Sequence, residues 1–190
     1  MRAVGSLHEL PPDLPAPVDD GAASHLIGAQ MPTIALRSTG GRLVDVSKLS
    51  GSRTVLYCYP RTGRPDRPVP AGWDAIPGAR GCTPESCGFR DHFLDLGALG
   101  AGVFGISTQE TDYQREAVVR LELPFELLSD AAFELTDALR LPTFEFEGVR
   151  LLRRLTMVVR GGVIEHVFYP VFPPDRHAEV VLGWIAHEAR

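Results

Sequence analysis

The stretch TVLYCYP, residues 54–60, is an unbroken apolar, aromatic and β-branched run with no polar alternation. A strand of that composition has to be buried on both faces, which places it at the centre of a sheet covered on both sides. The rest of the chain supplies what would cover it. VFGIS (103–107) and FELL (125–128) read as further strands, while Phe89, Phe93 and Leu96 fall at i, i+4, i+7 along one helical face. Tyr113, Ala117 and Leu121 mark a second helix, and Ala132, Leu135 and Leu139 the buried stripe of a third. RLTMVV and VIEHVF form a hairpin through Arg160-Gly161-Gly162, and the chain closes on a helix with Ala178, Val181, Leu182 and Ile185 facing inward. Upstream, PTIALRSTGGRLVDVSKL reads as a hairpin turning at Thr39-Gly40-Gly41. Strands and helices in this alternation predict an α/β fold with a central mixed β-sheet flanked by helices on both faces.

Two segments fall outside that scheme. Residues 1–25, rich in Pro, Asp and Ala, predict an extended arm, packed on the surface or partly disordered, ahead of a domain over 26–190. Residues 61–81 are an irregular loop dense in Pro and Gly, which Trp73 is expected to pin down. At 190 residues and 44% hydrophobic content, one domain can build a full core without disulfides or metals. A net charge of −5 with no Lys/Arg run argues against a nucleic-acid partner. No apolar stretch is long enough for a membrane span, and the N-terminus lacks a leader pattern, so a cytoplasmic protein is expected. Monomer and homodimer are both open.

Chemistry concentrates in GARGCTPESCGFRD, residues 78–91, which holds two of the three cysteines. In a reducing compartment a close pair is more often catalytic, redox-sensing or metal-binding than a permanent staple. With Thr83 as N-cap and Pro84 opening a helix, Cys82 stands just before a helix N-terminus, where a thiol loses its proton more easily. Cys82 is therefore the better nucleophile by position. Cys87, five residues on, would lie about 7.5 Å up an ideal helix, with the Cα atoms about 8 to 9 Å apart. A disulfide needs Cα atoms within about 7 Å. The pair can join only if the first turns unwind, which describes a switch. The C-x4-C spacing without a second pair disfavours zinc, and no metal or other cofactor is expected. Cys58, inside the apolar run, reads as a core residue.

GCTPESCGFRD after VLYCYP resembles the active-site segment of the peroxiredoxins, in particular the bacterioferritin comigratory protein or Q-type subfamily. GAQMPTIAL, VFGIST, FELLSD and RRLTMVV extend the resemblance over residues 26–185. It implies a thioredoxin-like fold and a thiol-dependent peroxidase acting on hydrogen peroxide and small organic hydroperoxides. By position, Cys82 is similar to the peroxidatic cysteine, Cys87 to the resolving cysteine, and Arg154 to the arginine that reaches thiolate and peroxide; Arg153 is the alternative inward arginine. The implied reductant is a thioredoxin- or glutaredoxin-type dithiol.

This chain departs from the family motif P-x3-T-x2-C at two places. Ala79 and Ala75 stand where threonine and proline are expected, and 21 residues separate Pro60 from Cys82 where the motif allows six. Either Pro60 and Thr62, at the near end of a folded-back loop, supply the missing group, or the backbone N–H groups of Arg80 and Gly81 suffice. Arg80 reads equally as added positive potential or as a solvated side chain. Glu85 reads as a carboxylate favoured by the helix dipole, and His92, His166 and His177 as structural. Two competing functions stand beside the peroxidase: a thioredoxin-like disulfide oxidoreductase, against which the C-x4-C spacing argues, and a non-catalytic redox sensor or binding module on the same scaffold, which the absent threonine leaves open.

Overall fold

The computed structural model describes residues 7–189. Its frame is a seven-stranded sheet in the order β2-β1-β5-β4-β3-β8-β9. The opening hairpin is β1 (Ala35–Ser38) and β2 (Leu43–Asp45), antiparallel as expected. β3 (Arg53–Cys58) takes in most of the apolar run 54–60, and every residue in it is buried. It pairs in parallel with β4 (Ala101–Ser107), which pairs in parallel with β5 (Leu127–Ser129). On its other side β3 pairs antiparallel with β8 (Leu155–Arg160), which turns through Gly161-Gly162 into β9 (Val163–Phe168). Because side chains alternate along a strand, the two faces of β3 feed two cores. Val55, Tyr57 and Tyr59 pack on one side; Leu56 and Cys58 pack on the other. Cys58 is a fully buried core thiol.

The Val55 face is covered by four helices: α1 (Cys82–Asp91), α2 (Phe93–Ala98), α3 (Thr111–Leu121) and α5 (His177–Glu188). The opposite face is covered by α4 (Glu134–Leu139) together with Ala23 and Leu26. Helices thus flank both faces of a mixed sheet. The stripe predicted for the closing helix is buried at Ala178, Val181 and Ile185, with Leu182 packed at its edge.

Four local expectations need correction. The helix starts at Cys82, two residues earlier than Thr83-Pro84 suggested, because Gly81 at φ 106° is its N-cap and its carbonyl accepts from the Glu85 N–H at 3.0 Å. Pro84 then sits in the first turn, where its missing N–H has no partner to lose. Phe89 and Leu96 do not share one helix, since the chain breaks at His92 between α1 and α2. Phe125 and Glu126 precede β5, and Ala132 is exposed ahead of α4, whose buried residues are Leu135, Thr136 and Leu139.

A second, two-stranded sheet was not foreseen: β6 (Thr143–Phe146) and β7 (Val149–Leu152), antiparallel and joined by Glu147-Gly148. It creates a third, smaller core with the 61–81 loop, in which Trp73, Ala79 and Leu151 are buried and Val69, Ile76, Phe144 and Phe146 pack around them. Trp73 anchors the loop, its ring 5.1 Å from Phe146 and 6.1 Å from Phe144. Of the N-terminal arm, residues 1–6 lie outside the described residues. The remainder is packed: the Tyr169 hydroxyl donates to Asp20 at 2.8 Å, and Leu10 and Pro17 rest against the loop that leads into α1.

Candidate active site

The loop, α1 and the end of β7 meet at Cys82. Gly81 can be nothing larger: beyond its positive φ, a Cβ there would lie 2.3 Å from Pro174 Cγ and 3.0 Å from a Leu10 methyl. That close approach presses the start of α1 against the turn before α5. Cys82, 4% exposed, occupies the first helical position.

Arg154, 3% exposed, lies between β7 and β8 and reaches across to it, while Arg153 turns outward toward Asp20. Its guanidinium uses the whole fork. Nη2 donates to Cys82 Sγ at 3.2 Å and to the carbonyls of Ala79 and Arg80 at 3.2 and 3.3 Å; Nε donates to the Gly78 carbonyl at 3.2 Å; Nη1 pairs with Glu85. Arginine suits this place because its planar donors can hold three loop carbonyls, a carboxylate and a sulfur at once. The 78–81 segment is therefore fastened to the sheet by the residue that touches the thiol.

Glu85, read from sequence as a carboxylate favoured by the helix dipole, is fully buried against Arg154. Its role was invisible in sequence because the partner lies 69 residues away. Burial pushes its carboxyl up to about 7 against the pull of Arg154. Burial likewise raises the Cys82 thiol, with Glu85 pushing the same way and Arg154 and a backbone hydrogen bond from Arg61 pulling down. The easy proton loss expected from the helix start is thus outweighed by desolvation. One cation serves two acids, so whichever of Cys82 and Glu85 is ionised claims the charge of Arg154.

Around this centre the aromatic packing is dense. The Tyr57 ring stacks on Phe89 at 4.5 Å and its hydroxyl donates to Ser86 at 3.0 Å. His177, buried with Nε2 2.8 Å from Thr156 Oγ1, is pushed down to about 3 by burial and then by Arg154. It is a neutral packing residue, as expected. His166 stacks on Trp184, and His92 sits 3.5 Å from Asp95. Cys87 is half-buried further along α1, its thiol raised by burial. All three cysteines are free.

Cys82 opens onto a cavity of about 560 Å³. Thr62, Arg80 and Gly81, the three residues named from sequence for peroxide positioning, all line it with Cys82. Thr62 is 1% exposed, and Gln109 Oε1 accepts from its hydroxyl at 3.3 Å and from its N–H at 3.0 Å. Arg80 pairs with Asp74 at 3.4 Å. Sequence reasoning passed over Arg61, whose backbone faces Cys82 and whose guanidinium lies 4.3 Å from the centre of the Trp73 ring. Its place directly after the buried strand, at the mouth of the loop, was the available signal. Among the described residues no three His, Cys, Asp or Glu side chains gather to hold a metal ion, and no helix is long and apolar enough to cross a membrane.

A mixed sheet with helices on both faces and a buried cysteine opening an α-helix under an arginine is the architecture of a thioredoxin-like thiol protein. The chain belongs to the Redoxin family, whose profile matches residues 26–182. It is 30% identical over 150 residues to a chloroplastic peroxiredoxin Q of Oryza sativa subsp. japonica, a match covering 79% of this chain and 62% of the rice protein. To the peroxiredoxin Bcp of Escherichia coli it is 28% identical over 162 residues, covering 83% of this chain and 94% of that one. Among solved structures it resembles the peroxidoxin BcpB of Mycobacterium tuberculosis with a TM-score of 0.69 at 24% identity, covering 85% of this chain and 96% of that one. The bacterioferritin comigratory protein of Xanthomonas campestris, described for alkyl peroxide reduction, gives 0.67 at 19% identity, with 94% and 100% covered.

Proposed function

We propose that the protein is a thiol-dependent peroxidase in which Cys82 is the peroxidatic cysteine, Cys87 the resolving cysteine and Arg154 the group that stabilises thiolate and peroxide. The observation that carries this reading is the Arg154 guanidinium held 3.2 Å from a buried sulfur that opens on a cavity. The Cys82 thiolate attacks the terminal oxygen of a hydroperoxide; an S–O bond forms, the O–O bond breaks, and the alkoxide leaves with a proton as an alcohol. Sulfur is oxidised to a sulfenic acid. Arg154 is placed to donate to the oxygens as negative charge passes from sulfur to the leaving group. The Thr62 hydroxyl, whose proton faces Gln109, keeps lone pairs for the peroxide O–H.

Resolution requires movement. Cys82 and Cys87 lie on one helix, and the first turn of α1 has to unwind before the Cys87 sulfur can attack Cys82 Sγ, forming S–S and releasing water. A thioredoxin- or glutaredoxin-type dithiol then supplies two electrons and two protons to restore both thiols. We place this chemistry in the cytoplasm, where such dithiols keep thiols reduced. The redox-sensor alternative keeps one observation in its favour, Ala79 in place of a threonine beside the sulfur. The discriminating experiment is dithiol-coupled turnover of hydrogen peroxide, with mass spectrometry of the trapped sulfenic acid. A peroxidase turns over repeatedly and labels at Cys82, and Cys82→Ser does neither. A single stoichiometric oxidation without turnover would select the sensor.

A further inference from the structure

Hydrogen peroxide needs little more room than a water or two, and the cavity at Cys82 is many times larger. Its walls come from the 61–81 loop, the start of α1, the segment 108–110, Leu7 and the β6–β7 hairpin. Val69, Trp73, Val149 and Leu151 give it an apolar side, and Tyr113 adds a ring. Against that side stands Arg61. Its guanidinium lies 4.3 Å from the Trp73 ring centre and 5.2 Å from that of Phe146, its Nη2 is buried with no hydrogen-bond partner, and among the described residues no carboxylate is in ion-pair distance of it. The other arginines of the cavity differ. Arg80 is paired with Asp74, Arg64 with Asp66, and Arg67 is exposed to water. The cavity's carboxylates, Glu110 and Glu147, are also exposed, so solvent screens them. A cation that is dry on one edge and unpaired is screened far less, and its field favours an anion in the cavity.

We propose that this cavity recognises hydroperoxides that carry a carboxylate close to the peroxide, with Arg61 as the specificity-determining residue; this rests on the peroxidase reading of Cys82. The spacing follows from one residue facing both ways. The backbone of Arg61 faces the Cys82 sulfur while its guanidinium ends over Trp73, so the two recognition points are about one arginine side chain apart. A compact ring bearing peroxide at one end and carboxylate at the other fits that span and has Trp73, Val69 and Leu151 to pack on. Arg61 acts on binding, while the electron transfer stays with Cys82.

The test uses cumene hydroperoxide carrying a para-carboxylate, its primary amide as the neutral isostere, and hydrogen peroxide as the reference, each reduced by the full chain. A charge-assisted hydrogen bond predicts kcat/KM about tenfold or more higher for the carboxylate than for the amide. Arg61→Gln should bring that ratio to about one, and Arg61→Lys should keep part of it. The inert alcohols corresponding to the two substrates provide a second readout: the carboxylate alcohol should quench or shift Trp fluorescence at lower concentration than the amide alcohol. A ratio near one in the unaltered protein, or one that Arg61→Gln leaves unchanged, would overturn the proposal while hydrogen peroxide turnover keeps the peroxidase reading. Failure with all three substrates would overturn both.

Discussion

Glu85→Gln tests the charge arrangement at the centre of the site through stability as well as rate. The carboxyl is fully buried beside the Arg154 guanidinium and yet held up at about 7, because desolvation outweighs the attraction. An acid whose folded pKa is raised stabilises the fold most below its unfolded pKa, and that contribution is lost as the pH rises through the folded value. For Glu85 the window runs from the ordinary 4.5 to about 7, which corresponds to roughly 3 kcal/mol of folding stability. The amide titrates nowhere in that range. Urea unfolding of the parent and of Glu85→Gln from pH 4.5 to 8 should therefore show the variant gaining roughly 3 kcal/mol on the parent across the window. The same substitution removes a charge that pushes the Cys82 thiol up, so thiolate absorbance should appear at lower pH in the variant. A difference in stability that stays flat with pH, or a thiol that titrates at higher pH in Glu85→Gln, would refute the picture of two acids competing for one arginine.

Two further substitutions probe resolution and the helix start. In Cys87→Ser a sulfenic or over-oxidised Cys82 should accumulate and dithiol-coupled turnover should stall, as followed by mass spectrometry and peroxide consumption; undiminished turnover would move the resolving role elsewhere. Gly81→Ala meets both a positive φ and Pro174 Cγ at 2.3 Å, so it should cost about 2 kcal/mol or more in denaturant unfolding and lower the rate at Cys82, whereas an unchanged midpoint would show that the close approach is not rigid.

Some parts of this arrangement were legible in the chain and others were not, for physical reasons. β3 could be read directly, because a run buried on both faces has nowhere to go but the middle of a sheet. The motif around Cys82 and Cys87, and the pattern that selected Arg154 over Arg153, are local in sequence. The start of α1 was misplaced because Thr83-Pro84 is a sound local cap-and-Pro signal. It is overridden by Gly81, whose left-handed backbone is held by contact with Pro174, a residue 93 positions away. Glu85 was read only as a carboxylate favoured by the helix dipole for the same reason, since nothing near it in sequence announces Arg154. The β6–β7 hairpin had a signal that passed unread: TFEF alternates and VRL follows it around Glu147-Gly148, both of which take positive φ in the tight turn. That hairpin supplies Phe144, Phe146 and Leu151 to the third core, so missing it hid the cavity wall as well.

The central claim is that Arg154 makes a buried Cys82 reactive toward peroxide, and stopped-flow oxidation of the fully reduced protein measures it directly. The structure predicts sulfenic acid formation at Cys82 about a hundredfold or more faster than for free cysteine at the same pH, and a loss of about a hundredfold in Arg154→Lys, which keeps the charge and loses the fork. A Cys82 no faster than free cysteine, or an Arg154→Lys variant as fast as its parent, would contradict it.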